Sequence, residues 1–416
     1  MPSTTQIARS SSNPPSDVSR SPVTSHAVRP PRWAIILDPI SASVLGSGLS
    51  SRQDAVPVWD DPDGVTDATI ARHRLDGLFV HAVATGKLAA TPERSRWAAE
   101  KELELTRARL WHDLRVVGIT EQLASSGIHY RILKGPAFGS LDYPDRIMRP
   151  TGDIDLLVRG EQLPAAVTAL CRSGGRVVDP EPVIGYAQVI GKSTTVTMPD
   201  GLEIDLHRTL TRGPFGLRIQ LEDLWSQSRG FTINGTDQQT LGLEESLLHA
   251  CFHLMVLSEP RALSVRDVAQ LLTHPNLDAD RVIDLASRWR ASIVLASAVL
   301  MTTTMIPGVA DTPLLDWTRA MRPDRLDRVY LRIAQPEHPI GPAEWPATFF
   351  ELPSASARRM LVRSIVRPIP GTNPSLGKRV SRTTRRIIKR LGAPVTHRAG
   401  ALRSTARSGT TQRTSK

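Results

Sequence analysis

Three aspartates in two short runs are the residues of this sequence best suited to holding a divalent cation. Asp153 and Asp155 open the run DIDLLVR, and Asp205 lies in the run LEIDLHR. Side chains two residues apart on a β-strand point to the same side, so the first two aspartates bring two carboxylates together. Two like charges at that separation are unfavourable without a cation between them. We therefore predict catalytic and metal-binding roles for all three aspartates.

The expected cofactor is Mg²⁺ or Mn²⁺, because ligand sets made of carboxylate oxygens select hard cations. Two such ions ~3.5 to 4 Å apart can hold both the attacking and the leaving oxygen of a displacement at phosphorus. Asp205 joins the pair only if the two strands are neighbours in one sheet. Each run taken alone is also typical of a solvated strand face, so the prediction depends on their order along the chain.

A Lys-Gly-Pro turn upstream supplies positive charge. Lys134 and Gly135 follow the predicted strand IHYRIL, and Pro136 suits the first turn of a helix. A helix N-terminus offers unpaired N–H groups, and glycine allows a phosphate to approach the backbone. We predict that Lys134 and Gly135 bind the phosphates of a nucleotide. Arg149, in the loop before the aspartates, is a third candidate for this role, and Arg146 lies close to it.

The elements expected around these residues indicate an α+β fold. Helices are predicted over residues 68–88 and 92–126, before the chemistry begins. The catalytic part combines strands and helices, predicted as a strand over 128–133, a helix to about 143, a strand over 153–159, a helix over 161–173 and a hairpin of 193–198 and 202–208. From residue 243 the pattern is helical, with one long helix predicted over 280–301.

This organisation divides the chain into five regions. They are a disordered N-terminal segment (1–32), an N-terminal helical region (33–126), the catalytic domain (127–242), a helical domain (243–350) and a basic, largely disordered tail (351–416). The net charge of +11 belongs to the tail, since residues 352–416 contain 16 Lys or Arg and no Asp or Glu. Such a tail can contact nucleic acid through its phosphates, although a solvated extension is more typical of this composition.

The remaining sequence features bear on cellular location and on whether cysteines or histidines form a second site. The N-terminal segment lacks an apolar signal sequence and the longest apolar stretch, about 291–301, is too short for a transmembrane segment, so we expect a cytoplasmic protein. Cys171 and Cys251 lie in apolar helical patterns and fit core positions. His249 and His253 are one helical turn apart, but their neighbours offer no third ligand, so we interpret them as packing residues.

Three blocks, in order, resemble the uncharacterised nucleotidyltransferase family of bacteria, within the DNA polymerase β-like superfamily. They are ILKGPAFGSLDYPDRIMRPTGDIDLLV, EIDLHRTL and LWSQSRGFTINGTDQQTLGLEESLLHACFHL. The resemblance covers about residues 128–300 and implies a nucleotidyltransferase fold, a short mixed β-sheet flanked by helices, followed by an all-helical domain. It also implies that Asp153 and Asp155 are the paired metal ligands, Asp205 the third carboxylate and Lys134-Gly135 the phosphate-side turn. The wider superfamily has Gly-Gly or Gly-Ser at that turn.

The resemblance implies transfer of a nucleoside monophosphate from a nucleoside triphosphate, such as ATP, with release of pyrophosphate. The acceptor is left open as a small molecule, a protein or an RNA. Two alternatives remain: a toxin-like enzyme that modifies tRNA and uses the basic tail to contact it, and an inactive nucleotide-binding or scaffold protein of the same fold. A metal-dependent glycosyltransferase is disfavoured because no nucleotide-sugar domain precedes the Asp-x-Asp run.

Overall fold

The computed structural model of the chain describes residues 35–49, 56–61, 63–178, 180–256, 260–334 and 344–366. The segment predicted to be disordered at the N-terminus and residues 367–416 of the basic tail lie outside these ranges. Within them, no helix is both long enough and apolar enough to cross a membrane.

Among the described residues, four helices and a two-stranded ribbon precede the central sheet. In chain order they are α1 (Pro39–Gly46), β1 (Val58–Trp59), α2 (Val65–His73), α3 (Asp76–Ala84), β2 (Ala89–Ala90) and α4 (Pro92–Ser125). As predicted, α4 begins at Pro92, where the Thr91 side chain accepts a hydrogen bond from the Arg94 N–H at 3.3 Å. The single helix predicted over 68–88 is wrong. Arg74 adopts a left-handed conformation (φ 58°), which ends α2 before α3 begins.

The centre of the molecule is a five-stranded mixed sheet in the order β3-β4-β7-β6-β5. Its strands and their flanking helices are β3 (Tyr130–Ile132), α5 (Gly135–Leu141), β4 (Ile154–Val158), α6 (Leu163–Arg172), β5 (Arg176–Val177), α7 (Tyr186–Val189), β6 (Ser193–Thr197) and β7 (Glu203–His207). Strands β4 and β7 are parallel, whereas the other neighbours are antiparallel. The predicted β6–β7 hairpin is confirmed.

The two faces of the sheet have different surroundings. One face carries Ile154 and Leu156 of β4 with Ile204 of β7, which are buried in a core shared with α4 and α6. Because side chains alternate along a strand, Asp155 and Asp205 belong to the opposite face. Leu157, also on that face, packs into the larger core of the helical regions. The carboxylates therefore lie between the sheet and the helices.

A second hairpin follows the sheet and was not predicted. Helices α8 (Gly213–Arg218) and α9 (Asp223–Ser226) lead into β8 (Ser228–Ile233) and β9 (Thr236–Leu241). The connecting residues Asn234 and Gly235 both have positive φ, 48° and 78°, as a tight hairpin turn requires. The hairpin is held to β3 by a hydrogen bond of 3.2 Å from the Tyr130 hydroxyl to the Gln238 side chain.

The remainder of the described chain is helical. Its helices are α10 (Leu243–Val256), α11 (Ala262–Leu272), α12 (Ala279–Arg288), α13 (Ser292–Met305), α14 (Pro313–Ala320), α15 (Arg325–Ala334), α16 (Glu344–Glu351) and α17 (Ala355–Val366). The long helix predicted over 280–301 is broken at Arg290, whose φ is 51°. Helix α17 occupies the start of the region predicted as a disordered tail, and Leu361 is buried there with Ile190.

The N-terminal and C-terminal helical regions form one core. Leu45 of α1 and Phe79 of α3 are buried in the same cluster as Leu247 of α10, Val268 of α11 and Leu295 of α13. These residues come from regions that the sequence divided into two. The helices on both sides of the catalytic segment therefore pack together and cover the carboxylate face of the sheet.

Candidate active site

Asp155 and Asp205 are directly opposite each other on the parallel strands β4 and β7. The condition for the predicted cluster, that the two strands be neighbours, is therefore met. His207, two residues beyond Asp205 on β7, joins them. Each of the three offers one ligand atom, and these atoms all lie within 4.8 Å of one another.

His207 is the residue that links the two aspartates. Its Nε2 lies 2.7 Å from Asp155 Oδ1 and 3.9 Å from Asp205 Oδ2. The other oxygen of Asp205 accepts a hydrogen bond from the Thr195 hydroxyl on β6. Asp155 and His207 are buried, whereas the Asp205 side chain keeps 24% of its surface exposed. Asp205 is thus fixed in orientation and accessible to a substrate.

Lys134 reaches the cluster from the end of β3. Its Nζ lies 3.0 Å from Asp155 Oδ2, and both side chains are buried. The backbone of Lys134 has φ 49°, a conformation that is uncommon for a residue with a side chain and that turns the strand abruptly into α5. The predicted phosphate-binding lysine is therefore in direct contact with a predicted metal ligand.

Gly135, the first residue of α5, is packed tightly against the loop that leads to β4. A Cβ atom added at Gly135 would lie 2.5 Å from Thr151 Cγ2. Only glycine fits at this distance without moving Thr151. Gly135 therefore sets the spacing between the Lys134 turn and the segment that carries Asp153.

The electrostatics of the cluster are dominated by burial and by nearby cations. Burial raises the pKa of Asp155, but Lys134, the hydrogen bond from His207 and Lys192 together hold it well below its usual value. Burial lowers the pKa of Lys192, and the charge of Lys134 lowers it further, while Asp155 and Asp205 oppose this shift. Two lysines thus face the carboxylates, and Asp155 is ionised at neutral pH.

Three histidines lie beneath this charged layer. Burial lowers the pKa of His207, and Lys192 adds to the effect. Burial also lowers the pKa values of His249 and His253 on α10 well below the usual value, with Lys134 contributing in both cases. His207 is therefore neutral at pH 7, and its Nε2 donates to the ionised Asp155. His249 and His253, which the sequence analysis interpreted as packing residues, therefore bring helix α10 close to Lys134 and Asp155.

Asp153 lies at the rim of the site. It occupies the bend before β4 and is exposed, and it is not one of the three residues of the compact cluster. Its carbonyl oxygen accepts a hydrogen bond of 3.1 Å from His112 Nε2 on α4, which fixes the start of the strand. Arg74 and Arg149 are its charged neighbours.

The loop arginines have carboxylate partners. Arg149 donates to both oxygens of Asp267 on α11, at 2.7 and 2.9 Å, and the Tyr143 hydroxyl donates to the same residue at 2.7 Å. Arg146 donates to Asp113 on α4 at 2.7 Å. In the structure Arg149 therefore ties the loop before β4 to the helical region.

Sequence reasoning assigned no role to His207, Lys192 or Thr195. His207 shares the face of Asp205 by the two-residue spacing, so alternation alone placed it beside the carboxylates. Lys192 and Thr195 belong to the preceding strand and its approach, and no spacing rule relates them to Asp205. Their role depends on the register of the β6–β7 hairpin, in which Thr195 is directly opposite Asp205.

The arrangement suits chemistry on an anionic substrate. The oxygens of Asp155 and Asp205 are donors suited to a hard divalent cation such as Mg²⁺ or Mn²⁺, and His207, whose Nε2–H donates to Asp155, orients the first of them. Lysine side chains beside them can offset the charge of phosphates. A mixed sheet that presents carboxylates and lysines together beside a helical core suits the transfer of a phosphoryl or nucleotidyl group.

Comparison with known proteins places the chain in a family. Residues 63–307 match the model of a family described as "Uncharacterised nucleotidyltransferase", and the chain belongs to this family. It is a nucleotidyl-transfer enzyme. The match begins just before α2, so helices α2 to α4 lie within the matched region, whereas α1 precedes it. No curated protein matches the chain.

One solved structure among those that match is an antigenic nucleotidyltransferase-like protein from Paracoccidioides brasiliensis. It is 15% identical to this chain, with a TM-score of 0.33, and the match covers 48% of this chain and 92% of the other. A similarity at this level carries no argument about activity.

Proposed function

We propose that this enzyme transfers a nucleoside monophosphate from a nucleoside triphosphate to an acceptor, with release of pyrophosphate and with Mg²⁺ or Mn²⁺ as cofactor. The observation that carries the proposal is the direct opposition of Asp155 and Asp205 on β4 and β7, with His207 beside both. This chemistry corresponds to that of the polymerase β-like superfamily, which the sequence resembles.

The proposed metal ligands are Asp155 and Asp205, with Asp153 completing the set from the rim. When bound, the cation would supply charge neutralisation for the phosphates. Asp205 is the proposed proton acceptor because it is the exposed member of the cluster and is already oriented by Thr195. The acceptor oxygen attacks the α-phosphorus and gives its proton to Asp205, while the bond to the β-phosphate breaks and pyrophosphate leaves.

We propose one role for Lys134 in the metal-free enzyme and another in the metal-bound enzyme. Without a cation its ammonium group neutralises Asp155 at 3.0 Å. A divalent cation at Asp155 would take over this charge balance and release Lys134 toward the triphosphate. Lys192 is the second proposed contact to the phosphates, since its charge already faces the same carboxylates. The proposed roles of Gly135 and Arg149 are mainly structural. Gly135 sets the distance between the Lys134 turn and Thr151, and Arg149 holds the loop before β4 against α11.

The second candidate function is nucleotide binding without turnover. One observation favours it: the Lys134 ammonium group lies where a cation would approach Asp155, so the site is charge-balanced by the protein alone. The toxin-like alternative, transfer of a nucleoside monophosphate to tRNA, is the first proposal with RNA as the acceptor. Deletion of residues 370–416 separates these acceptors, because loss of a basic tail weakens RNA binding and its salt dependence but leaves a small-molecule reaction unchanged.

The test is release of pyrophosphate from each of the four nucleoside triphosphates, with Mg²⁺ or Mn²⁺, in the presence of cell extract as the source of acceptor. The full chain is compared with Asp205→Asn, which preserves shape and removes the charge. Asp200→Asn is the matched control, because Asp200 is an exposed aspartate at the turn of the same hairpin. A triphosphate labelled at the α-phosphate then identifies the acceptor.

The proposal predicts metal-dependent release that Asp200→Asn retains and Asp205→Asn loses by at least about a thousandfold. Equal release by all three proteins would reject it. Binding of a triphosphate by calorimetry, with no release by any of the three, would support the second candidate.

A further inference from the structure

Helix α4 has an exposed apolar stripe on the side opposite its buried face. In the described part of the chain, Leu103, Leu110 and Leu114 are exposed to 51%, 50% and 66% of their surface. At 100° per residue these leucines lie within about 40° of one another around the helix axis. The core-facing residues Val116 and Leu123 lie on the far side. Packing among the described residues therefore does not account for the stripe.

The residues around the stripe are arranged symmetrically about the point midway between residues 108 and 109. Leu103 and Leu114 are equally far from this point, and so are Ala99 and Gly118. The outermost pair is Arg96 and Glu121, which carry opposite charges, and the innermost pair is Arg107 with Leu110. All eight residues are exposed. Two of the four pairs therefore match in size and polarity, leucine with leucine and alanine with glycine, and the outermost pair is complementary in charge.

A second copy of the same helix in antiparallel orientation is the partner that this pattern fits. In a two-fold dimer each residue meets the residue equally far from the axis on the other copy. Leu103 would then pack on the partner's Leu114, and Arg96 would pair with the partner's Glu121. By symmetry each contact occurs twice. The matched face runs from Arg96 to Glu121, about 38 Å at ~1.5 Å per residue.

Gly118 provides an independent observation. It lies inside α4, where glycine is less favourable than alanine, yet a Cβ atom added there would meet nothing within 4 Å. Packing among the described residues therefore gives no reason for glycine. Opposite the partner's Ala99, a glycine allows two helix backbones to approach closely. Trp111, which flanks the stripe and is 46% exposed, can cover the partner's Arg107.

We propose that this enzyme forms a two-fold dimer through the exposed face of α4, with the two helices antiparallel. The partner is a second copy of this chain, because a helix of another protein would not require the face to match its own reverse. The proposal is independent of the nucleotidyl-transfer reaction, since none of these residues belongs to the active site.

The test is sedimentation velocity on the full chain over a wide range of concentrations. We expect a monomer–dimer equilibrium that the double change Leu103→Glu and Leu114→Glu shifts to monomer, raising the dissociation constant at least about a hundredfold. Leu326→Glu is the matched control, because this leucine is similarly exposed on α15. Its dissociation constant should equal that of the unmodified chain.

Two further variants test the geometry. Arg96→Glu should weaken the dimer, and adding Glu121→Arg to it should restore the original dissociation constant by exchanging the paired charges. Gly118→Gln should raise the melting temperature of the monomer and still weaken the dimer. The proposal is overturned by a monomer at every concentration, by a dimer that survives both glutamates in the stripe, or by a charge exchange that restores nothing.

Discussion

Lys134 and Asp155 form a buried ion pair, with Lys134 Nζ 3.0 Å from Asp155 Oδ2. The contact joins the turn after β3 to the middle of β4. The Lys-Gly turn predicted to bind phosphate and the Asp-x-Asp run predicted to bind metal are therefore linked directly. It also gives Asp155 a compensating charge within the protein. A divalent cation bound at Asp155, as proposed above, would therefore compete with an ammonium group that is already in place.

The first prediction concerns this competition. Lys134→Gln leaves a buried carboxylate without its main counter-charge, so we expect the free energy of unfolding to fall by about 2 to 4 kcal/mol. Added Mn²⁺ should then raise the melting temperature of the variant more than that of the unmodified chain. Thermal unfolding with and without MnCl₂ measures both effects.

The control for this experiment is Lys101→Gln. Lys101 also forms an ion pair, with Glu104 at 2.6 Å, but Glu104 is largely exposed. Removal of this surface pair should cost less than about 1 kcal/mol and leave the response to Mn²⁺ unchanged. An identical response to Mn²⁺ in the Lys134 variant would mean that lysine and cation do not compete.

The second prediction concerns the pH dependence of stability. Burial lowers the pKa of six histidines in the described chain: His73, His81, His112, His207, His249 and His253. In the unfolded chain these groups have pKa values near ~6.5. Below that pH the unfolded state binds more protons than the folded state, so the free energy of unfolding falls as the pH decreases. The ionised Asp155, whose pKa is lowered in the folded state, also stabilises the fold, and this stabilisation is lost only at more acidic pH.

Denaturant unfolding at pH ~7.5 and ~5.5 measures this effect. We expect lower stability at the acidic value, and a smaller difference between the two in His249→Met, because one fewer proton is taken up on unfolding. His129→Gln changes an exposed histidine and serves as the control. A difference in stability that His249→Met leaves intact would exclude a contribution from this histidine.

The sequence predicted four of the five strands of the central sheet because their signal is local, and it missed only the two-residue strand β5. Alternation of apolar and polar residues identified the regions of β4 and β7, and the Pro199-Asp200-Gly201 turn identified the β6–β7 hairpin. The hairpin of β8 and β9 carried an equally local signal, Asn234-Gly235 between two alternating runs, and this signal was overlooked. Such elements can be predicted without knowledge of the rest of the fold.

The errors arose where tertiary structure decides the outcome. Two of the three long helices predicted from periodicity, those over 68–88 and 280–301, are broken at Arg74 and Arg290, which adopt positive φ. Arginine is a common helix residue, so the residue type at these two positions does not indicate that a helix ends there. The ion-pair partner of Arg149 could not be predicted either. Asp267 is more than a hundred residues away along the chain and contacts Arg149 only because α11 packs against the catalytic segment.

The third prediction concerns Arg149. Asp267→Asn removes one partner of a buried, two-pronged ion pair, so we expect the free energy of unfolding to fall by about 3 to 5 kcal/mol. Arg149→Lys should also destabilise the enzyme, because an ammonium group cannot donate to both oxygens in the same plane. Since both variants disrupt one contact, the double variant should lose little more than either single one.

Kinetics then separate the two roles considered for Arg149. An arginine that serves only the packing of the loop changes the KM for the triphosphate equally in Arg149→Lys and Asp267→Asn. A direct contact to phosphate would raise KM in Arg149→Lys well beyond its value in Asp267→Asn.

The fourth prediction concerns Gly135 and Thr151. In Gly135→Ala the new methyl group would lie 2.5 Å from Thr151 Cγ2, so we expect a loss of about 1 to 3 kcal/mol in the free energy of unfolding. Thr151→Ala removes the obstructing methyl group, and the double variant should recover most of the lost stability. If Gly135 only sets the position of the loop before Asp153, nucleotidyl transfer recovers together with stability in the double variant. Activity that stays low after stability has returned would mean that a phosphate must approach the Gly135 backbone directly, as the Lys-Gly turn first suggested.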